Sequence, residues 1–322
     1  MKQIWKPAIL RLSIVAAYAA TLYIIAFGLN QVSERAGVIA TLTFIPLFYG
    51  SAIQIILDPD NKQSFTYVLS RGLIVLTCIF TALVLIEMET WICIAMAIVP
   101  FFALMVLGLF LMRHLLQYLK SRRSQTQLNL SLWFLPLFLT PLMDTISFPK
   151  LDNIVTTEIT INAPPALVWK ETMEIPEIRS HERIWTFTHN IMLSPQPIDA
   201  VLNGNIRQLR WTNGVRFQEH ITKKINNRFV AWDFVFNEPE TLELIDPHIK
   251  PQGGLLNLKN GSYSLTPLDG KRTRLILKTH YSLQTPVNFY LELWGRVLLQ
   301  DFHTSVLTVI KKRAEQKNAD MS

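Results

Sequence analysis

The stretch VRFQEHITKKI, residues 215–225, puts a carboxylate where a strand is otherwise apolar. Read as a strand, it sends Val215, Phe217, Ile221 and Ile225 to one face, and Glu219 lies on that face. Arg216, Gln218, His220 and Thr222 point the other way. A carboxylate aimed into an apolar interior must meet a cation or a hydroxyl, or it takes up a proton. It can then serve as a fixed polar anchor or as a proton-transfer group. The cation comes from the run before it, Ile206–Trp211. A two-residue loop at Asn213-Gly214 would mix apolar and polar side chains on both faces. A three-residue loop of Thr212, Asn213 and Gly214 sets Trp211 opposite Val215, Leu209 opposite Phe217 and Arg207 opposite Glu219. It asks for positive φ at its end, which Gly214 adopts at little steric cost. This register favours Glu219 as a paired anchor.

Other chemistry is thin. His181-Glu182 is followed by Arg-Ile-Trp, so it begins no HExxH helix, and His181, His189, His220, His248, His280 and His303 lack ligand spacing. No metal site is expected. There is no phosphate-binding glycine loop and no GxSxG elbow. Asp301 and His303 read as surface or edge residues of the last helix. Cys78 and Cys93 lie in apolar runs and read as small hydrophobes. Catalytic residues therefore stay unassigned, whether the chain is an enzyme stays open, and no cofactor is implied.

The elements that would hold Glu219 follow one another in the second half. Ile154–Asn162 alternates as a strand, Asn162-Ala-Pro-Pro ends it, and Pro165 suits the first turn of a helix carrying Ala166, Trp169 and Met173 on one face. After a mixed region come the Ile206–Trp211 and Val215–Ile225 hairpin and the run Phe229–Phe236, with Val230, Trp232, Phe234 and Phe236 inward. Gly261–Pro267 and Thr273–Leu283 flank Asp269-Gly270, a second hairpin signal, with Leu275, Leu277, Thr279 and Tyr281 inward. Val287–Lys317 reads as one long helix whose stripe is Leu291, Trp294, Leu298, Phe302, Val306 (or Ser305) and Val309. A long helix laid on an antiparallel sheet is a stable two-layer solution.

The first half is of another kind. Residues 1–149 hold six acids and ten bases, whereas residues 150–322 hold 18 acids and 21 bases. Apolar runs of membrane length occur at 12–29, 37–57, 67–86, 91–112 and 130–148, the last interrupted by Pro136, Pro141 and Asp144. The reading is a multi-pass α-helical transmembrane domain over 1–149 and a water-soluble α+β domain over 150–322. With the N-terminus cytoplasmic, Lys2, Lys6, Arg11, Lys62, Arg71, Arg113, Lys120, Arg122 and Arg123 all fall on the cytoplasmic side, and Arg35 falls opposite. Five spans in the cell membrane then place the second domain outside the cytoplasm; if 130–148 does not cross, the domain is cytoplasmic. Glu87 and Asp144 fall near the ends of their runs, as solvated interface positions. The net charge of +7 needs no nucleic acid, because the soluble half carries only +3 and no basic stripe interleaved with aromatics.

The opening ITINAPPALVWKETMEI resembles the first strand and helix of the START-like, or SRPBCC, superfamily. NGSYSLTPLDGKRTRLILKTHYSL resembles its late hairpin, and LELWGRVLLQDFHTSVLTVIKKRAE its closing helix. The resemblance covers about residues 150–316 and none of the first half. It implies a helix-grip fold, in which an antiparallel sheet wraps a long C-terminal helix around an apolar cavity. It brings no universal catalytic residues. The expected cavity lining is Arg207, Trp211, Phe217, Glu219, Trp232, Phe234, Tyr263, Leu277, Tyr281, Trp294, Leu298 and Phe302. Three readings follow: a membrane-tethered domain binding a hydrophobic small molecule or lipid, a cyclase or dehydratase using the same cavity, or a non-catalytic assembly module. The expected partners are the bilayer and that ligand, with no protein partner named by the sequence.

Overall fold

The computed structural model describes residues 2–32, 37–38, 40–120, 147–237 and 255–321, and it divides into two units, residues 1–147 and 148–322.

The first unit contains α1 (Lys2–Val32), α2 (Ile45–Leu57, entered through a π turn at Ala40–Phe44), α3 (Phe65–Leu85) and α4 (Trp91–Lys120). Within them, Ala8–Leu29, Ala40–Leu57, Phe65–Leu85 and Trp91–Tyr118 are long and apolar enough to cross a bilayer. The expected run at 130–148 lies outside the described residues save Ser147 and Phe148. α2 packs against α1 and α4, with Ile53 and Met105 fully buried. The α2–α3 turn is held by polar groups. Asp58 accepts from the backbone N–H groups of Lys62 (2.7 Å) and Gln63 (3.0 Å), Gln54 Nε2 donates to Asn61 Oδ1 (2.6 Å), and Asn61 Nδ2 donates to the Arg113 carbonyl (2.9 Å). These bonds satisfy main-chain groups that the turn would otherwise leave orphaned.

The second unit is a seven-stranded antiparallel sheet with a long helix packed on β1 and β7. Its elements are β1 (Leu151–Ile161), α5 (Pro165–Met173), the single turn α6 (Phe187–Asn190), β2 (Pro197–Asn203), β3 (Ile206–Trp211), β4 (Arg216–Ile225), β5 (Phe229–Val235), β6 (Leu256–Pro267), β7 (Thr273–Leu283) and α7 (Asn288–Asp320). The strand order is β1-β7-β6-β5-β4-β3-β2. The proline break after β1 is tied from two sides: Thr273 Oγ1 donates to the Ala163 carbonyl (2.7 Å), and Asn162 N donates to Glu315 Oε1 on α7 (2.8 Å). α5 then buries Val168, Trp169 and Met173 in the main core with Trp232, Leu275 and Ile310. The segment after α5 is clamped to α7 by Arg313. Its Nε and Nη2 meet the two Glu182 carboxylate oxygens at 2.7 and 2.9 Å, and Nη1 and Nη2 reach the carbonyls of Pro176 and Glu177. That fork holds the Glu182 carboxyl down at about 2.

Three expectations need correction here. β2 is a strand that the sequence pattern did not single out; it starts at a proline, as edge strands do. Ile225 does not face inward. The β4–β5 register shifts between Ile221 and Lys223, and a bulge of this kind turns the following side chains over, leaving Ile225 45% exposed. The helix stripe is also off at Trp294 and Leu298, whereas Phe302, Val306 and Val309 do face the sheet.

Candidate functional site

β3 and β4 pair with Arg207 opposite Glu219 and Leu209 opposite Phe217. The connecting loop is Thr212–Gly214, with Trp211 N donating to the Val215 carbonyl (2.8 Å); Gly214 has φ 81° and Asn213 φ 62°. The register thus gives the inward carboxylate its cation. Arg207 Nη2 and Glu219 Oε2 form an ion pair, and Arg207 and Glu219 are 2% and 5% exposed. Arg207 Nη1 also donates to the Thr172 carbonyl in the last turn of α5 (2.5 Å), and the guanidinium carbon stands 4.4 Å from the Trp232 ring centroid and 5.5 Å from that of Tyr263. One side chain therefore joins sheet to helix and neutralises the acid. Burial pushes the Glu219 carboxyl above the usual glutamate range, and Arg207 opposes the rise. A guanidinium does not discharge, so protonating Glu219 would strand a buried cation.

Beside this pair lies a cavity of about 160 Å³ between the sheet and α7. Of the residues expected to line it, Arg207, Trp211, Phe217, Glu219, Trp232, Phe234, Tyr263, Leu277 and Phe302 do so. Tyr281, Trp294 and Leu298 do not. Tyr281 is buried in a separate cluster with Val155 and Leu283, and its hydroxyl sits so close to Gly295 that a Cβ there would be 2.6 Å away. Trp294 and Leu298 are half-buried and turned off the cavity, where Leu299, Phe302, His303 and Val306 form the helix wall.

His303 is the main residue that the sequence reading placed wrongly. It is 3% exposed and lines the cavity. Its Nδ1 is 3.0 Å from Thr157 Oγ1 and its Nε2 2.8 Å from Thr279 Oγ1. Burial lowers it to about 4, so the ring is neutral at neutral pH; one nitrogen donates to a hydroxyl and the other accepts. Asp301 is no edge residue either, since its Oδ2 accepts from Thr188 N (2.8 Å). Nor was Asp199 foreseen. It comes from β2, lines the cavity at 5% exposure and is forked by Arg210. His189 is buried as well, with its ring 5.2 Å from Phe302 and its titration pushed down by burial. Burial likewise pushes the Tyr263 phenol up. One sequence signal could have found His303: Leu299, His303, Val306 and Ile310 repeat at helical spacing, with a polar residue in the second place.

The strand order and the crossing helix decide the architecture. The second unit has the helix-grip fold. No family model matches the chain, and no curated protein matches it. Solved structures are similar to this unit. The ZhuI aromatase/cyclase from Streptomyces sp. R1128 is 14% identical, over 53% of this chain and 98% of that one, with a TM-score of 0.34. Norcoclaurine synthase from Thalictrum flavum, a point mutant in complex with a transition-state analogue, is 10% identical over 52% and 98%, at 0.32. The Aha1 dimer from Colwellia psychrerythraea is 15% identical over 51% and 96%, at 0.29. These likenesses are of fold alone and are limited to about half of the chain.

Proposed function

We propose that the chain is a multi-pass membrane protein whose helix-grip unit binds a hydrophobic small molecule or lipid. The observation that carries this reading is the cavity itself. It holds about 160 Å³, its walls are mainly aromatic and aliphatic, and its polar groups are few and fixed. Those groups suit binding better than acid–base chemistry. Glu219 is tied to Arg207, while burial displaces His303 and Tyr263 away from neutral pH in opposite directions. Apolar ligands partition into bilayers, and a membrane tether keeps the cavity near its supply.

The test uses the full-length protein purified in detergent. Organic extracts analysed by mass spectrometry should contain a compound near stoichiometric amount that is lost from Ala200→Phe, which fills the cavity from β2. Val306→Phe fills it from α7 and covers the case in which the first variant misfolds. Identical extracts from wild type and from a folded cavity-filled variant would overturn the reading.

The tether carries its own proposal: N-terminus cytoplasmic, five spans, helix-grip unit on the far side. The nine lysines and arginines that fall together on one side support it. Reporter fusions after Gln125 and after Asn153 should report opposite sides. Both on one side would remove the fifth span and move the unit to the cytoplasm.

A further inference from the structure

We infer that the helix-grip unit docks on the surface of a lipid bilayer through an apolar patch formed by the first half of α7 and the segment around α6. This rests on the membrane reading above and says which face of the unit meets lipid.

On α7, Phe289, Leu293 and Val297 are exposed and follow one another at intervals of four, so they share one face of the helix. One turn further along that face stands Asp301, whose carboxylate accepts from Thr188 N of α6 (2.8 Å), and beside it Phe302 stacks on His189. α6 is thus pinned where the stripe ends. Its segment adds Trp185, Phe187, Ile191 and Leu193, which are exposed while Thr188, His189 and Met192 between them are buried. These seven apolar side chains are between 38% and 72% exposed. Outward apolar groups gathered on two adjoining elements mark an interaction surface, whereas single ones need no explanation.

Charge, attachment and size select the occupant. In 288–300 the only charged residues are Glu292 and Arg296, which pair with each other (3.1 Å), whereas 311–320 holds six. α7 is therefore divided along its length into an apolar end and a charged end. The apolar end is also the attached one. Gln284 Nε2 donates to the Phe148 carbonyl (2.9 Å) and Asn288 Nδ2 to the Pro149 carbonyl (2.8 Å), so the end of the apolar run 130–148 is fixed beside Phe289. A surface of Trp, Phe and Leu suits the bilayer interface, where aromatic side chains are enriched. Amphipathic helices lie there with their apolar face ~5–10 Å deep. A second copy of the chain fits less well. Stable protein interfaces take roughly 20–30 residues a side, and a lipid surface asks for no complementary shape. Ser194 and Phe302 adjoin the patch and line the cavity, so docking brings a cavity wall to the lipid.

The test places bimane on single cysteines of the full-length protein, in a Cys78→Ala/Cys93→Ala background, with one copy in each phosphatidylcholine nanodisc. Leu293→Cys and Ile191→Cys sample the patch, Lys224→Cys the end of β4, and Ile74→Cys the apolar surface of α3; all four positions are exposed. Phosphatidylcholine carrying a nitroxide high on its acyl chain should quench the Leu293 and Ile191 labels at least twofold and leave the Lys224 label unchanged. A mid-chain nitroxide should quench the Ile74 label. Either patch position decides if the other variant misfolds. Quenching of the Ile74 label alone overturns the docking and leaves the membrane reading standing. Failure to quench even that label defeats both. Patch labels with blue-shifted emission that the lipid nitroxide does not touch would show a cover of protein, and would overturn the docking as well.

Discussion

Arg207→Ala is expected to destabilise the helix-grip unit by roughly 3–5 kcal/mol, the usual cost of leaving one member of a buried ion pair alone. The geometry places the change at the severe end. The same guanidinium pairs with Glu219, donates to the Thr172 carbonyl in the last turn of α5 and stacks on Trp232. The double variant Arg207→Ala/Glu219→Ala should be more stable than Arg207→Ala alone, because no buried charge is left over. That ordering separates a coupled pair from two independent packing losses. Thermal midpoints of the full-length protein, followed by circular dichroism, are sufficient to read it. A double variant less stable than either single variant would refute the pairing.

The two single variants should also part with pH. In Arg207→Ala the lone Glu219 can take up a proton, and its folded value rises further above the ordinary 4.5. A raised carboxyl contributes stability that is present below its unfolded value and is lost as pH rises through its folded value, at about 1.36 kcal/mol per unit. Arg207→Ala should therefore be less damaging at pH 5 than at pH 8. Glu219→Ala strands a guanidinium that cannot discharge, so its penalty should stay flat over the same range.

How much of this site could be read in the sequence depends on the kind of order involved. Strand alternation has a period of two, and one loop fixes it for a whole hairpin. The Gly214 loop therefore determined the pairing of Arg207 with Glu219, and alternation within their own strands gave the inward set of Trp232, Phe234 and Leu277. A bulge breaks that logic locally, and nothing in the residue types near Ile221 and Lys223 announces one. The helix was harder. α7 carries apolar residues around much of its first half, so Phe289 and Leu293 are 72% and 56% exposed although they look as fit for burial as Leu299. A stripe drawn through apolar types alone locks onto Trp294 and Leu298 and steps over His303. β2 was missed because an edge strand beginning at Pro197 has a weak pattern of its own. Its place comes from pairing with β3, a contact the local sequence does not encode. In the first half, length and apolarity sufficed to find the four described helices. Which faces meet was not legible there, since every face is apolar; small residues at close crossings carry that information.

The second large effect is expected at one such crossing. Gly50 of α2 and Gly108 of α4 lie where the two backbones nearly touch. A Cβ on Gly50 would stand 1.9 Å from the Met105 carbonyl oxygen, and one on Gly108 would stand 2.0 Å from that of Leu47. Ser51 Oγ donates across the same gap to the Gly108 carbonyl at 3.2 Å, while also meeting Leu47 O at 3.0 Å. In the bilayer proposed for this unit, apolar burial does little to hold helices together, so close packing and short polar contacts of this kind would carry the association. Gly108→Ala pushes backbone against backbone, and no side-chain rotation relieves it. The cost should reach or exceed the roughly 1–3 kcal/mol usual for overpacking. Gly28→Ala on α1 is the control, because a Cβ there meets nothing within 4 Å. That change removes a helix-interior glycine, and the gain in helix propensity is up to about 1 kcal/mol. The two alanines should therefore move the thermal midpoint of the detergent-solubilised protein in opposite directions, Gly108→Ala down and Gly28→Ala level or up. Equal midpoints would mean that α2 and α4 are not in backbone contact in the folded protein, and the first unit would then need a different packing of its helices.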